Sequence, residues 1–373
     1  MRLLRKIKMN DKMKNIKLFD PFIGKEEELA IKKTLRSKFW ASGSGVGHVA
    51  KFEKEFKKYT GSKQCIAVNN GTSALHLALS LLDIKNKEVI VPSLSFVSSA
   101  HAIIYNGGKP IFADVDPQTL CINPSHVEQL ITKKTAAIIP VHFGGMSCNM
   151  KMLGKILKNH NIPMIEDAAH AAGTKFQGKM IGSHSFACCF SFHPVKNLAM
   201  PTGGAITLNS TNSNHKKNLL NSRRWCGISN RRGAIYDVDD LGWNFYMNEF
   251  SAAIGLVQLK KLNSANTIRK KIAKQYSKEL KIESKMQFDN DCSYHLYWIH
   301  VKNRKKFMKL MLEKGIQTGI HYLPIHKMNF YSSKLRLPIT ENSGKHIVSI
   351  PIHPNLLEYD IEKIIKFTNK FAN

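Results

Sequence analysis

Between about residues 60 and 210 the chain repeats one pattern: a short apolar run, then a stretch with helical spacing of its apolar positions. The apolar runs fall at Gln64–Val68, Glu88–Val91, Pro110–Asp114, Ala136–Val141, Pro163–Asp167, Phe186–Ser191 and Gly204–Leu208. Runs this short and this continuous suit strands buried on both faces. Between them lie segments such as Ser73–Leu82 and Ser125–Thr132, which read as amphipathic helices. Strands alternating with helices predict an α/β fold with a mainly parallel sheet covered on both sides. In such a sheet, ligands bind beyond the carboxyl ends of the strands.

After about residue 245 the rhythm changes. Glu249–Leu262 puts Ala252, Ala253, Leu256 and Leu259 on one helical face and leads into the Lys-rich stretch Thr267–Leu280. Tyr297–Val301, Lys305–Lys314 and Asp360–Phe371 then outline a smaller α/β unit. The expected division is a large domain over residues 1–245, opening with a lead-in over 1–18, and a small domain over 246–373. No internal repeat is visible, and no stretch of about 18 apolar residues is present to cross a membrane. The basic start, MRLLRKIKMNDKMKNIK, lacks the uninterrupted apolar segment of a secretory signal.

Charge and cysteine usage narrow the function classes. Lys and Arg total 56 against 27 acidic residues, a formal net charge of +29. The basic residues are spread along the whole chain with no aromatic-interleaved block, so they read as a solvated surface and nucleic acid is not expected as a partner. The seven cysteines are scattered, form no CxxC pair and point to a reducing compartment, hence a cytoplasmic protein without a structural metal site. Cys188 and Cys189 lie near His184 and His193, but small cysteines in an apolar strand read as packing residues. The run Gly43-Ser44-Gly45-Val46-Gly47 follows no convincing strand and reads as a flexible loop rather than a dinucleotide fingerprint.

Three segments carry candidate chemistry. Asn69-Asn70-Gly71-Thr72-Ser73 follows a strand and opens a helix, which gathers free N–H groups, a positive helix end and hydroxyls suited to phosphate. The same residues also suit an ordinary helix cap. Ile165-Glu166-Asp167-Ala168-Ala169-His170 ends a buried strand on an acidic residue; Asp167 there can hold a protonated ring nitrogen, serve as a structural cap or ligate a metal. Ser191-Phe192-His193-Pro194-Val195-Lys196 puts Lys196 in a proline-bent loop after a strand. A lysine confined in such a loop loses its proton more readily, which suits Schiff-base chemistry; the other reading is an ordinary surface lysine of a Lys-rich chain, against which stands Asp167 at the end of a strand of the same sheet.

Taken together, these segments resemble the DegT/DnrJ/StrS family of nucleotide-sugar aminotransferases, which depend on pyridoxal phosphate (PLP). The resemblance runs from about Asp20 to Phe371. It includes Pro92-Ser93-Leu94-Ser95-Phe96, Pro140-Val141-His142-Phe143-Gly144-Gly145, Asn244 to Leu259, His321-Tyr322-Leu323-Pro324 and Ile350-Pro351-Ile352-His353-Pro354. It implies a fold type I, aspartate-aminotransferase-like architecture with a seven-stranded sheet in the large domain. It implies that Lys196 bonds the cofactor and moves protons, that Asp167 pairs with the ring nitrogen, and that Phe96 stacks on the ring. Gly71, Thr72, Ser73 and Ser191 would hold the phosphate, with His170 near the phenolic oxygen. Asn244 would reach the phosphate in a partner subunit of a homodimer. His193, His321 and Tyr322 are the candidates for the sugar pocket. The implied reaction moves an amino group from glutamate to a keto-6-deoxy sugar linked to a nucleoside diphosphate. A keto-cyclitol substrate, a related sugar dehydratase and a non-catalytic PLP sensor or basic binding protein are the alternatives; dehydratases of this family carry histidine where Lys196 stands. Two departures from the family pattern stand out: Pro201-Thr202 before Gly203-Gly204, and Tyr246 where an arginine is usual.

Overall fold

The computed structural model describes residues 15–372, so most of the expected lead-in lies outside the described residues. Its end is docked. The Ile16 N–H donates to the Gly315 carbonyl at 2.7 Å, and its own carbonyl accepts from Gln317 at 2.9 Å.

All seven apolar runs become strands: β1 (Gln64–Val68), β2 (Glu88–Pro92), β3 (Lys109–Ala113), β4 (Thr135–Ile138), β5 (Ile165–Asp167), β6 (Ala187–Ser191) and β7 (Gly204–Leu208). They form two ladders rather than one uninterrupted sheet. One, ordered β3-β2-β4, is parallel throughout. In the other, ordered β1-β7-β6-β5, the pair β5–β6 is parallel and the pairs involving β7 are antiparallel. Isolated parallel bridges, Ile138 to Met164 and Val141 to Asp167, bring β4 alongside β5. The interruption has a local cause: Pro140 and Pro163 sit at this seam, and proline brings no N–H to a ladder.

Alternation along the strands shows why the runs are continuously apolar. On β1, Ile66 and Val68 enter one core while Cys65 and Ala67 enter another. On β6, Ala187 and Cys189 face the first core and Cys188 and Phe190 the second. Side chains on a strand alternate with period two, so a sheet covered on both faces needs apolar residues at every position. The helix α3 (Gly71–Leu79) is buried at every position from Ser73 to Leu79, so the amphipathic helix expected over Ser73–Leu82 is a shorter, fully enclosed one.

The glycine run at 43–47 is a packed loop, not a flexible one. A Cβ at Gly43 would lie 2.1 Å from the Trp225 ring, and one at Gly45 1.9 Å from the Arg224 guanidinium. Gly45 also has φ +66°, in the left-handed region that favours glycine. The loop joins helix α1 (Lys25–Ser37) to helix α2 (His48–Thr60), and the first N–H groups of α2 donate to the Glu249 carboxylate at 2.6 and 3.3 Å.

Glu249 itself begins a single 31-residue helix, Glu249–Glu279, which merges the two helical stretches read after residue 245. Beyond it, Tyr297–His300 pairs antiparallel with Ile347–Ile350, flanked by helices Arg304–Glu313 and Glu358–Phe371. A third core joins these elements to Ile90, Ile138 and Val115, so the C-terminal part packs on the large sheet.

Candidate active site

The carboxyl ends of β1, β5 and β6 converge on one cavity of about 390 Å³. Ten of the twelve expected site residues line it; Ser73 and Asn244 do not. Ser73 is buried one step further into α3, where its N–H donates to the Asn70 side chain at 2.8 Å. Asn244 is exposed on the surface and pairs with Trp225.

The cradle expected for a phosphate is built by close approach. Asn70 caps α3 and leaves the N–H groups of Gly71 and Thr72 at the cavity without intrahelical partners. A Cβ at Gly71 would lie 2.7 Å from the Ser191 Cβ, so only glycine lets the helix end meet the end of β6. The Thr202 hydroxyl donates to the Asn69 carbonyl, and Thr202 lines the cavity. The departure at Pro201-Thr202 therefore ties the lysine loop to the helix-capping turn. Tyr246 pairs with Val68 at the end of β1 and shares a surface groove with Arg231, so a cation remains near this departure.

Asp167 ends β5 and is 4% exposed. Its carboxylate accepts from the Ser99 hydroxyl at 2.7 Å and the Ala169 N–H at 3.1 Å. Burial nevertheless pushes its pKa above the ordinary carboxylate range. The neighbouring Glu166 points to the opposite face, as strand alternation requires. There it accepts from His142 Nε2 at 2.7 Å, because His142 Nδ1 already accepts the Cys148 N–H at 3.1 Å. The His142 N–H also donates to the Asp167 carbonyl at 3.1 Å, so this pair fastens the seam beside the site.

Lys196 retains accessible surface because the cavity reaches it, yet its amine is enclosed by protein. Burial lowers its pKa to about 8, with Asp167 opposing the shift. At pH 7 roughly one amine in ten is then neutral, against roughly one in 3,000 for a solvated lysine. The amine lies 3.4 Å from Nε2 of His295. His295 and Ser99 were not among the residues read from the sequence. His295 sits in the buried segment Cys292–Ile299 and carries no local signature, since only the fold brings it across 99 residues to Lys196.

His170 is enclosed, and burial holds its pKa well below the ordinary histidine value. Nδ1 accepts the Gly144 N–H at 3.2 Å, so Nε2 carries the hydrogen and donates to the Tyr322 hydroxyl at 3.0 Å. His321 is held through the Ser349 hydroxyl at 2.9 Å, and burial lowers its pKa to about 4. Phe96, 56% exposed, stands at the cavity with its ring 6.1 Å from that of Tyr322. Among the described residues no cluster of His, Cys, Asp and Glu could hold a metal ion, and no helix is long and apolar enough to cross a membrane.

The model of the DegT/DnrJ/EryC1/StrS aminotransferase family matches residues 21–368. The chain belongs to that family. It is 34% identical over 369 residues to the spore coat polysaccharide biosynthesis protein SpsC of Bacillus subtilis, covering 93% of this chain and 94% of SpsC. Among solved structures it resembles the PLP form of the putative sugar aminotransferase Spr1654 from Streptococcus pneumoniae (TM-score 0.90, 25% identity, 95% and 98% of the two chains). It also resembles PseC of Helicobacter pylori, an aminotransferase involved in the biosynthesis of pseudoaminic acid (TM-score 0.89, 27% identity, 96% and 99%). The protein is thus a fold type I aminotransferase, and its cofactor is pyridoxal phosphate.

The residues present fit that cofactor. A helix N-terminus pressed against Ser191, an anionic side chain and an enclosed lysine amine all line the same cavity. The neutral amine alone has the lone pair that captures an aldehyde. For protein stripped of cofactor, the rate of PLP capture is therefore expected to rise with pH and level off above about 8. Stopped-flow absorbance across a pH series checks this; a rate still climbing at about pH 10 would mean an amine in solvent.

Proposed function

We propose that this aminotransferase moves an amino group from glutamate to a keto-6-deoxy sugar carried on a nucleoside diphosphate, in the making of an amino sugar for a surface polysaccharide or natural product. The observation that carries the reading is the enclosed Lys196 amine sharing one cavity with Asp167 and the N-terminus of α3. The relatives support the sugar, being named for sugar amination and for spore coat polysaccharide biosynthesis. When bound, PLP supplies an electron sink that stabilises negative charge at the carbon next to the amine. Everything else falls to the chain. Lys196 holds the cofactor and carries protons at its amine. Asp167 supplies the anion for the ring nitrogen, and Ser99 fixes that carboxylate. Gly71, Thr72 and Ser191 bind the phosphate, and Ser73 stabilises their helix. His170 and Tyr322 present one joined hydrogen-bond pair to the phenolic oxygen and the substrate. Phe96 covers the ring, and His193 and His321 contact the sugar.

A homodimer belongs to the same proposal. The hairpin Ile228–Arg232 and Ile235–Val238 exposes Ile235 and Tyr236, Leu241 is 78% exposed close by, and Asn244 follows on the surface. This apolar strip would bury itself against a second copy and bring Asn244 to the partner's phosphate site. The division at residue 245 and a cytoplasmic location are likewise proposed.

Incubating the holoenzyme with glutamate and a panel of keto-sugar nucleotides and keto-inositols, while following 2-oxoglutarate, tests the reading. Turnover with a nucleotide-linked keto sugar is expected. A product that has lost oxygen without gaining nitrogen would favour a dehydratase, against which Lys196 counts. Replacing Asp167 by Asn should lower turnover about 100-fold by removing the anion opposite the ring. Its pKa is raised by burial, so the ionised carboxylate costs folding free energy as pH rises through that pKa. The variant should therefore melt no lower than the parent at neutral pH, which separates a catalytic loss from an unfolded protein.

A further inference from the structure

We propose that His295 is the acceptor on which the Lys196 amine rests whenever it is not bonded to the cofactor, and that it thereby sets the basicity of that amine during proton transfer. The proposal deepens the transamination reading and rests on it. Lys196 must leave the cofactor when the donor amine arrives, and it must then act at the reacting carbon as a free amine. Such an amine, enclosed by protein, needs a hydrogen-bond partner, because an unpaired buried amine is costly. Among the described residues, the hydrogen-bond partner found for Nζ is Nε2 of His295, at 3.4 Å. Asp167 makes no ion pair with Lys196 within 4 Å, so the carboxylate is left for the ring.

The imidazole is built to stay put. It is 3% exposed, stacks with the Phe19 ring at 5.4 Å and 14°, and lies 4.5 Å from the His170 ring. Phe19 in turn meets His321 edge-on at 5.6 Å, so residues 15–20 form one wall of this clamp. Burial and the nearby Lys196 hold the His295 pKa well below its ordinary value, so the ring is neutral at physiological pH. A neutral imidazole with its hydrogen on Nδ1 presents a lone pair at Nε2. It can accept from the amine and from the ammonium alike, which a cation or a second donor could not. A carboxylate in this place would hold the ammonium too tightly; an apolar residue would leave it unpaired. The other titratable groups around the pair are Asp167, His170, His193, Arg269 and His321, with Asp20 and His353 across a small hollow. All of them remain when residue 295 alone is changed.

The test uses full-length protein stripped of cofactor and the same protein reloaded with PLP. His295→Phe keeps an aromatic ring against Phe19 and removes the acceptor, while His295→Gln keeps an acceptor. The ammonium form loses its hydrogen bond in the phenylalanine variant. The pH midpoint of PLP capture should therefore fall by about one unit below that of the parent. A weaker base abstracts protons more slowly, so kcat of the reloaded variant should fall about tenfold with KM for glutamate little changed. The glutamine variant should recover most of both. His295→Leu replaces the phenylalanine variant if its melting temperature shows that it does not fold. An unchanged midpoint in a folded Phe or Leu variant overturns the proposal, as does a glutamine variant as impaired as the phenylalanine one. Normal midpoints with no turnover in the parent would instead count against the transamination reading.

Discussion

Replacing Lys196 by alanine is expected to reduce transamination about 1,000-fold or more, with the fold intact. Two functions leave together. On the roles proposed above, the covalent hold on the cofactor would be lost, and so would the amine that moves protons at the reacting carbon, a contribution of about 100- to 10,000-fold by itself. The structure indicates that folding should not suffer. Lys196 makes no ion pair within 4 Å among the described residues, and its charged form is already disfavoured by burial, as its pKa of about 8 records. The variant should therefore bind PLP by its phosphate and ring contacts alone, without the visible absorbance of the covalent form. Single-turnover assays with glutamate check the rate, and added small primary amines should restore part of it. Full turnover in the alanine variant would remove the basis of the mechanism.

The second large effect concerns stability. Arg224 is 1% exposed, and its guanidinium pairs with Glu53 at 2.5 Å and donates to the Ala67 carbonyl at 2.8 Å. Glu53, 8% exposed, accepts the Ala67 N–H at 2.9 Å through the same oxygen. One ion pair therefore satisfies both backbone groups of a strand residue on β1, two positions before the turn that caps α3 at the cavity. Gly45 packs against the far side of the same guanidinium. Arg224→Ala strands a carboxylate in the interior and should cost about 3–5 kcal/mol. Removing both charges is a different matter, since a buried pair replaced by apolar groups of similar size is often close to neutral. A Glu53→Gln/Arg224→Met double variant should accordingly recover a good part of the loss. Urea unfolding of the two singles and the double closes the cycle. The arginine variant should also release PLP more readily, because β1 positions the Asn70 cap. Equal unfolding midpoints for parent and Arg224→Ala would refute this account.

Much of the scaffold was legible in the amino-acid order, for a simple reason. A strand covered on both faces must be apolar at every position, so the seven runs stood out and each became a strand. Placing residues beyond strand ends then drew Asp167, Ser191 and Lys196 toward one place, because carboxyl ends of strands in such a sheet gather on one edge. The family resemblance added Phe96, His170, His321 and Tyr322, all of which line the cavity.

What local sequence could not decide depends on distant neighbours. The run at 43–47 read as flexible because glycine is permissive; Trp225, Arg224 and Glu249 make it a packed loop. Two prolines at the seam split the sheet into two ladders, a consequence of which strands come to lie side by side. His295 carries no signature, yet tertiary packing puts it against the lysine amine. The pKa values follow the same rule, since enclosure lowers Lys196 to about 8 and His321 to about 4. Residue order by itself determined which runs form strands and which side chains stand as candidates for the chemistry, because those follow from residue type and period. The tertiary structure alone decided how basic the amine is and what it touches, because desolvation and contact arise only once segments far apart in the chain exclude water from one another.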